Sequence, residues 1–562
     1  MGIVQNSIVG ALVAVGWASA AQAVDINVSP VNNLQATVNS ASNGDRLLLA
    51  PGTYNQTIFI DGKSLTIEGT GGAAATTITA EFLNDTVIRV NNAPDPGVTL
   101  RGLTIRDGVA PTAGTGNAYP YDGGGVSSFN GALTIEDCHL TMNHASDDGG
   151  AVFSSGTLVC TNTTFDMNTS NDVGAGVLAS PTASFTNCEF TVNIAGGRGG
   201  AAYVYSSGDH DFTNCTFSDN ESGSEGGALA VFGTNNFDQC VFERNYALVQ
   251  GGAIFTNSGT LTCANTSFTE NYVDQSNGDA GAILCDTVTA TLTDCAFVRN
   301  SAPDDGGAIL CWDGGRIDLL RCVFLGNTGE RGGAFRISAP TAAAADNCLF
   351  IGNTALTTGF GGALYTAPNT AASSTYFRNC SFYGNQGPQS VVGGAPSSSG
   401  VSRFTNCVMW ASQTLDSAFG SNQQVRYCNV QRSSGVQSGV GNMNAAPIFA
   451  ALPNPGVDVT WGTMDDVYGD LRLLAGSAGI DAGDSFAASD LLGDYDGNDR
   501  NVDDPATVNT GVSAWALCVD TGAFEFQPTG AGFTCEGDAN GDGVIDLDDI
   551  QVVLFGFGTS CN

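Results

Sequence analysis

Basic residues are scarce in this chain. Of its 18 Lys and Arg residues only Lys63 is a lysine, and 55 Asp and Glu residues bring the formal net charge of the 562-residue chain to −37. A surface this negative repels nucleic acid and anionic lipid and attracts divalent cations. The composition therefore argues against nucleic acid as a partner.

Long apolar runs are also missing beyond the N-terminus. Residues 1–23 carry an apolar run and end in Ala21-Gln22-Ala23, which predicts a secretory signal peptide cleaved after Ala23, although no Lys or Arg precedes the run. The same pattern also fits a buried N-terminal segment. No later stretch has the ~18 uninterrupted apolar residues of a transmembrane helix. We expect an exported protein, secreted or held at a bacterial cell surface or outer membrane, with no transmembrane span.

A short phrase, Cys-x-Phe-x-x-Asn followed by Gly-Gly-Ala, recurs about ten times between residues 123 and 395. Its asparagines are 25 to 32 residues apart: Asn143, Asn168, Asn193, Asn220, Asn245, Asn271, Asn300, Asn327, Asn353 and Asn385. Glycine pairs recur once per repeat, a few residues after the asparagine, as at Gly251-Gly252 and Gly306-Gly307. A repeat this regular predicts a stacked, quasi-one-dimensional fold.

The segments between these landmarks are short, rich in Thr, Val, Ile and Phe, and bounded by Gly, Asn and Asp, as in residues 315–324 (GRIDLLRCVF). This pattern excludes helical repeats and predicts an all-β fold, a parallel β-helix solenoid. Each coil of about 26 residues would stack on the last at ~4.8 Å, so that ten to sixteen coils give a rod of roughly 50–75 Å.

The repeat predicts a role for each of its residues. The phenylalanines form one inward stack. The asparagine is a left-handed turn residue that also hydrogen-bonds to the asparagine of the next coil. The glycine pair supplies a second sharp corner.

Most cysteines share one slot of the repeat, five residues before the asparagine where it survives: Cys138, Cys188, Cys215, Cys240, Cys295, Cys322, Cys348, Cys380 and Cys407. A metal site would gather cysteines from different slots, so we interpret this line as buried small apolar residues. Cys285 and Cys311 share another slot one coil apart, close enough in principle for a disulfide.

Two kinds of segment resemble known families. The alternation of Phe-x-x-Asn with Gly-Gly-Ala resembles the repeats of polymorphic outer membrane proteins. Residues 33–72, with Gly44-Asp45, Pro51-Gly52-Thr53-Tyr54 and a capping helix expected at 34–41, resemble the opening coils of pectin-lyase-like right-handed β-helix proteins. Residues 469–484 and 518–526 resemble the closing segments of secreted bacterial β-helix proteins. The resemblance implies a right-handed β-helix but no single activity, because this fold serves lyases, hydrolases, adhesins and scaffolds.

These observations divide the chain into five parts. Residues 1–23 are the signal peptide, 24–122 the N-terminal cap and first coils, and 123–410 the repeat-bearing β-helix. Residues 411–530 are expected to be degenerate coils with a closing segment, and 531–562 a small calcium-binding tail.

The tail contains one calcium-loop pattern, in residues 538–549. Oxygen ligands fall at its first, third, fifth, seventh, ninth and twelfth places, the seventh through a backbone carbonyl: Asp538, Asn540, Asp542, Val544, Asp546 and Asp549. With a short amphipathic helix after it, the loop resembles one repeat of a dockerin module. The resemblance implies bound calcium and a cohesin-like partner, although a dockerin carries two such repeats and one is found here.

Two further features accompany this loop. Cys535 and Cys561 flank it and are the best disulfide candidates in the chain. A second loop of similar appearance, with Asp494, Asp496 and Asn498, lacks the later ligands and is interpreted as a turn.

A catalytic set is not evident. The best cluster of carboxylates and arginines is Asp304, Asp305, Asp313, Arg331 and Arg336. A polysaccharide lyase would need such groups to hold calcium or neutralise the substrate acid and to act as base. However, Asp305 and Arg331 share a repeat slot and are expected to pair along the rod.

Two functions stay open. The favoured one is an exported, non-enzymatic β-helix that binds or displays at the cell surface, with polysaccharide or surface proteins as partners. The alternative is a carbohydrate-active enzyme, a polysaccharide lyase or glycoside hydrolase acting on acidic glycans.

Overall fold

The described residues form a parallel β-solenoid, as the repeats predict. In this computed structural model they are 23–110, 122–205, 208–338, 342–366, 375–388, 392–394, 401–412, 423–491, 493–512 and 518–528. Residues 1–22 of the predicted signal peptide and the whole predicted calcium tail lie outside these ranges. No helix within them is long and apolar enough to span a bilayer.

The largest sheet, sheet 1, has 27 strands in two columns that run along the rod. The first column is Ile58–Asp61, Ile88–Asn91, Val126–Phe129, Val152–Ser154, Val177–Ala179, Ala202–Val204, Leu229–Asp238, Ile254–Ala264, Ile283–Asp286, Ile309–Trp312, Phe335–Ile337, Leu364–Thr366 and Val392–Gly394. The second shares the two long strands Leu229–Asp238 and Ile254–Ala264. It adds Asp25–Val28, Arg46–Leu49, Thr66–Gly69, Val98–Arg101, Leu133–Glu136, Leu158–Thr161, Ala183–Thr186, Asp209–Thr213, Thr289–Thr293, Arg316–Leu320, Ala342–Asp346, Thr375–Arg378, Ser402–Thr405 and Gln423–Arg426.

Two smaller sheets complete each coil. Sheet 2 has 15 strands: Gly52–Asn55, Thr76–Thr79, Thr104–Arg106, His139–Thr141, Thr164–Asp166, Glu189–Thr191, Thr216–Ser218, Val241–Glu243, Ser267–Thr269, Ala296–Val298, Val323–Leu325, Leu349–Ile351, Ser381–Tyr383, Val408–Trp410 and Asn429–Val430. Sheet 3 has six: His144–Ala145, Thr169–Ser170, Ile194–Ala195, Glu221–Ser222, Tyr246–Ala247 and Tyr272–Val273. Thr328–Arg331 pairs with Thr354–Phe360 in parallel, and Phe449–Ala451 with Asp470–Leu473 in antiparallel fashion.

The predicted phenylalanine stack fills the interior. From Phe165 to Phe382 the centroids of consecutive rings lie 4.6 to 4.9 Å apart, and the ring planes are parallel to within 10°. Parallel strands in register place identical slots directly above one another. One aromatic residue per coil therefore produces a continuous column, and a shift by one residue would point every ring outward.

The asparagines form a buried hydrogen-bonded ladder, as expected. From Asn143 to Asn385 each Nδ2 donates to the Oδ1 of the next asparagine at 2.9 to 3.1 Å. In Asn245, for example, Nδ2 also donates to the Phe217 carbonyl at 2.9 Å, and the backbone N–H donates to Asn271 Oδ1 at 3.0 Å. Each asparagine is one rung of this ladder. It forms hydrogen bonds with main-chain groups as well as with the asparagine side chains of the two neighbouring coils.

The prediction that these asparagines themselves take the left-handed conformation is wrong. The residue before each asparagine takes it instead, with φ of 51° to 55° in the coils from Met142 to Arg299. The asparagine side chain must point inward to bond to the next coil, so the residue with the left-handed backbone conformation is the one before the asparagine.

The cysteine line is buried as predicted, and its thiols are free. Each of the nine donates to the carbonyl two residues earlier at 3.1 to 3.5 Å. Cys285 and Cys311 are directly opposite each other in register and are also free. The line therefore contributes small apolar packing, as the sequence suggested.

The helix expected at 34–41 is present as α1 (Leu34–Ser40), which buries Leu34 and Val38 at the N-terminal end. The single lysine holds its C-terminal end, because Lys63 Nζ donates to the carbonyls of Val38, Asn39 and Ala41 at 2.7 to 2.9 Å. A cation is favourable at the negative end of a helix dipole.

The described residues between 449 and 526 (449–491, 493–512 and 518–526), here called the cover segment, fold back across the outside of sheet 2. Phe449, Trp461, Tyr468 and Phe524 pack on outward residues of the strands from Ala296–Val298 to Val408–Trp410. Those outward residues are apolar, whereas in earlier coils the same positions carry residues such as Thr164, Asp166 and Glu189. The cover segment therefore leaves the repeat architecture to bury an apolar sheet face.

A fully buried arginine anchors the cover segment to the rod. Arg500 donates to the Gly522 and Ala523 carbonyls at 2.8 and 2.6 Å and to Asn347 Oδ1 of the rod at 2.9 Å. It also pairs with Glu525 at 3.3 Å. Acceptors at both terminal nitrogens of the guanidinium offset the cost of burying the cation.

Replacing one rung should destabilise the whole rod. Asn245→Ala removes the acceptor for Asn220 and leaves the Phe217 carbonyl without its donor, so we expect the free energy of unfolding to fall by at least about 2 kcal/mol. Asn236→Ala, which removes an exposed bond to Asp211, is the control, with a change within about 0.5 kcal/mol. Urea titration followed by circular dichroism measures both, and equal midpoints would contradict the role of the ladder.

A second prediction concerns the slot before the asparagine, which is glycine in three coils under the cover segment, at Gly326, Gly352 and Gly384. A Cβ at Gly352 would lie 2.5 Å from the Trp461 ring, so Gly352→Met should displace the cover segment. Val192→Met, in the same slot of an uncovered coil, should leave it in place. Limited proteolysis of residues 449–526 reports the displacement, and equal cleavage of the two variants would refute it.

Candidate ligand-binding face

Polar side chains form a second ladder on the turn before the first column of sheet 1. They occupy the residue just before the glycine pair in most coils: Asp122, Asp148, Arg198, Glu225, Gln250, Asp279, Asp305 and Arg331. Val173 and Phe360 take this slot in two other coils. The first glycine of the pair fixes this turn, because at Gly306 φ is 63° and a Cβ would meet the Ile309 carbonyl at 2.3 Å. We call this set the turn ladder.

Three members of the turn ladder, Asp279, Asp305 and Arg331, form a cluster with the neighbouring Asp304 and Arg336. Asp279, Asp304 and Asp305 each place one oxygen within 4.8 Å of the others. Arg331 pairs with Asp304 and with Asp305 at 2.6 Å, and Arg336 also contacts the Asp305 carboxylate. The Asp305 side chain is only 5% exposed. Its charge is therefore held between two guanidinium groups, away from solvent.

The structure thus brings together four of the five residues in the sequence-derived cluster. Asp305 and Arg331 form a bridge between neighbouring coils, the pairing that their shared slot suggested. Asp313 lies apart, exposed in the turn at the other end of the strand Ile309–Trp312. Asp279 joins the cluster although sequence reasoning missed it. The available signal was its position before Ala280-Gly281, a degenerate glycine pair.

Burial changes the proton affinity of two members. It raises the pKa of Asp279 to about 6, and the nearby negative charge of Asp304 adds to the effect. Gln250 Nε2 partly offsets this by donating to Asp279 Oδ2 at 3.2 Å. Burial also lowers the pKa of Arg336, whose guanidinium lies 5.6 Å from the Tyr365 ring centroid.

A second carboxylate cluster lies at the other end of the turn ladder. Asp122, Asp147 and Asp148 place oxygens within 4.8 Å of one another. Burial first, then repulsion from Asp148, raises the pKa of Asp122 to about 7, and burial raises that of Asp148 to about 6. Oxygen clusters of this kind are the donors that hard divalent cations prefer.

The metal ligands predicted from the sequence cannot be placed beside these clusters. Asp538, Asn540, Asp542, Val544, Asp546 and Asp549, with Cys535 and Cys561, lie outside the described residues. The second acidic loop is described, and it is a turn: Asp494 Oδ1 accepts from the N–H groups of Asp496 and Asn498 at 2.9 and 2.8 Å. Asp494 Oδ2 accepts from the Glu525 N–H at 2.9 Å.

Beside the turn ladder, the outward side of sheet 1 is apolar. Ala230, Phe255, Leu284 and Leu310 point outward in consecutive coils and yet are at most 6% exposed. Arg198 of the turn ladder lies over the Phe255 ring, 5.4 Å from its centroid. The ladder side chains therefore border this apolar strip on one side.

A row of partly exposed residues borders the strip on its other side. Two places further along each strand stand Tyr205, Phe232, Asn257, Asp286 and Trp312, here called the aromatic row. Tyr205 is 46% exposed. Asn257 Nδ2 donates to Asp286 Oδ2 at 2.8 Å, and Tyr203 contacts both Tyr205 and Phe232, with ring centroids 5.9 and 5.7 Å apart. Exposed rings with polar groups between them are typical of a binding surface.

Comparison with known proteins agrees with this architecture. Residues 175–355 match the family of right-handed β-helix regions. Residues 347–367 also match the Chlamydia polymorphic membrane protein repeat. No curated protein matches the chain in a sequence search.

Three solved structures resemble the chain at low identity. The catalytic unit of a GH87 α-1,3-glucanase from Streptomyces thermodiastaticus is 14% identical with a TM-score of 0.39, over 72% of this chain and 70% of that one. Pectate lyase Pel9A is 16% identical with a TM-score of 0.28, over 90% and 96%. A mannuronic acid specific polysaccharide family 6 lyase from human gut microbiota is 11% identical with a TM-score of 0.34, over 72% and 91%. None is close enough to transfer a substrate to this chain.

The buried carboxylate Asp279 should make stability depend on pH. Because its pKa is raised in the folded state, its contribution is complete below pH ~4 and is lost as the pH rises through ~6. Asp279→Asn should therefore raise the free energy of unfolding at pH 8 by about 1–2 kcal/mol and change it less at pH 4.5.

The control for this prediction is Asp274→Asn, an exposed carboxylate in the same turn. Denaturant titrations of both variants at the two pH values make the measurement. A loss of stability in Asp279→Asn at pH 8 would show that the negative charge is favourable in the cluster.

Proposed function

We propose that this protein is exported to the cell surface, where the outward face of its β-helix binds a polymeric ligand without cleaving it. The observation that carries the proposal is the aromatic row, a line of partly exposed aromatic and polar side chains parallel to the rod. Such a line repeats at ~4.8 Å per coil and suits a ligand that is itself extended and repetitive. Polysaccharide is the partner class that fits this geometry best.

The state of the acidic cluster supports binding rather than catalysis. A general acid or base must reach the proton that it transfers. Asp305 is engaged by both Arg331 and Arg336 and is nearly buried, so it is a poor candidate for that role. The Arg331 guanidinium likewise donates hydrogen bonds to both Asp304 and Asp305. These ion pairs link the turns of neighbouring coils and so stabilise the fold.

The tail completes the proposal. The loop Asp538–Asp549 would hold one calcium ion through oxygen ligands, which is the donor set that calcium prefers. A calcium-loaded tail would stabilise or anchor the protein at the surface, through a cohesin-like partner or another route. The polymorphic membrane protein repeat at residues 347–367 is in keeping with a surface location.

An activity screen separates this function from the alternative of a carbohydrate-active enzyme. Residues 24–562 would be incubated with pectate, alginate and neutral glycans in millimolar calcium, and unsaturated product and reducing ends would be followed. We expect no product, while the same sample retains at least one glycan in affinity electrophoresis. Product that disappears in Asp305→Ala and Arg331→Ala would overturn the proposal and locate a catalytic site.

The calcium loop can be tested separately. Isothermal titration of the mature chain should show a calcium site that Asp542→Ala abolishes. Asp496→Ala, in the acidic turn, should leave that site unchanged. An unaltered isotherm in Asp542→Ala would remove the loop from the proposal.

A further inference from the structure

The ligand-binding face is unevenly charged. Along the coils from residue 147 to residue 336, the turn ladder, its neighbours and the aromatic row carry nine carboxylates: Asp147, Asp148, Asp172, Glu225, Asp279, Asp286, Asp304, Asp305 and Glu330. The same surface carries three cations: Arg198, Arg331 and Arg336. With every carboxylate ionised, nine negative and three positive charges give the face a formal charge of −6. Burial raises the pKa of Asp148 and of Asp279 to about 6, so these two carboxylates are partly protonated at pH 6 and the negative charge of the face is then smaller.

All three arginines are already engaged by this surface. Arg198 pairs with Glu225 at 2.7 Å, Arg331 with Asp304 and Asp305 at 2.6 Å, and Arg336 with Asp305. A uronate chain lying on the face would find no guanidinium free to receive its carboxylates. It would also be repelled by the remaining negative charge.

Five carboxylates on the face have no arginine ion pair among the described residues: Asp147, Asp148, Asp172, Asp279 and Asp286. Asp148 and Asp172 are close enough to Tyr203 to act on its ionisation. Asp286 stands in the aromatic row itself, between Asn257 and Trp312. Uncompensated negative charge therefore lies next to the rings that would stack on a ligand.

The spacing of these groups suits a sugar chain. Consecutive coils repeat at ~4.8 Å, a distance close to the length of one pyranose ring in an extended chain. A ring stacked on Tyr205 or Phe232 would present a substituent of a following ring to Asp286. The aromatic row thus places one carboxylate, Asp286, in the same line as the rings of Phe232 and Trp312.

We propose that this face selects a glycan that carries free amino groups, a hexosamine polymer of the partly or fully deacetylated kind. The inference rests on the proposed binding function and adds the class of ligand. Aromatic rings contact the apolar faces of the sugars, and the unpaired carboxylates accept ion pairs from the protonated amines. An acidic glycan is excluded by the same charges.

Three hexamers test the selectivity at pH 6, where hexosamine amines are protonated: glucosamine, N-acetylglucosamine and galacturonic acid. The mature chain should bind the glucosamine hexamer at least about 10-fold more tightly than the other two. Raising NaCl from 50 to 500 mM should weaken that binding at least about 10-fold, because exposed ion pairs are screened. Isothermal titration supplies the dissociation constants.

Variants locate the binding on this face. Asp286→Asn should weaken binding of the glucosamine hexamer at least about threefold and leave weak binding of the N-acetylated hexamer unchanged. Tyr205→Ala should weaken both. Tyr246→Ala is the matched control, because Tyr246 belongs to sheet 3, away from the aromatic row.

The outcomes distinguish the two proposals. Equal or tighter binding of the N-acetylated or the galacturonic acid hexamer would overturn the amino-glycan inference while a binding function stands. Glucosamine binding that survives Tyr205→Ala and Asp286→Asn would overturn its placement on this face. If the protein binds none of the three hexamers and no glycan in the screen above, the proposed function itself is overturned.

Discussion

The fold depends on the side-chain amides of the buried asparagines, each of which donates one hydrogen bond to the next asparagine and accepts another from the one before. Each buried asparagine donates through Nδ2 to a main-chain carbonyl of the preceding coil, and its Oδ1 accepts from the backbone N–H and Nδ2 of the asparagine before it, as Asn245 and Asn271 show. Buried polar groups are costly unless they are all paired. The ladder satisfies them in every coil from Asn143 to Asn385, and in doing so it sets the register that stacks the phenylalanines.

The type of residue found directly before the asparagine depends on whether sheet 2 faces solvent or the cover segment in that coil. Where sheet 2 faces solvent, ordinary side chains such as Met167 and Val192 occupy it despite their left-handed backbone. In the three middle coils under the cover segment the slot is glycine, at Gly326, Gly352 and Gly384. Glycine is needed at these positions because a side chain at Gly326 or Gly352 would collide with Tyr468 or Trp461 of the cover segment.

Sequence periodicity predicted the solenoid, the inward phenylalanines, the free buried cysteines and the asparagine contacts, because each depends on slots repeated at a fixed interval. It misplaced the left-handed residue by one, since the periodicity does not tell which neighbour of an asparagine reverses the chain. The cover segment was not foreseen as a layer on sheet 2. Its signal, the change from Thr164 and Glu189 to apolar residues such as Val323 and Leu349, lies outside the repeat phrase and concerns contacts between distant parts of the chain.

The proposed ligand-binding face, made of the turn ladder, the apolar strip and the aromatic row, follows from the same periodicity, since stacking turns a single residue per coil into a line of side chains. Its arginines are engaged within the fold, so under the proposal the rings and the carboxylates without an arginine partner are the groups that contact the ligand. Hydroxyl-radical footprinting of the mature chain, with and without saturating glucosamine hexamer, tests this account most directly. It predicts protection of Tyr205, Phe232 and Trp312 with Tyr246 and Tyr272 unchanged. Protection confined to the sheet 3 tyrosines, or unaltered oxidation of the aromatic row, would contradict it.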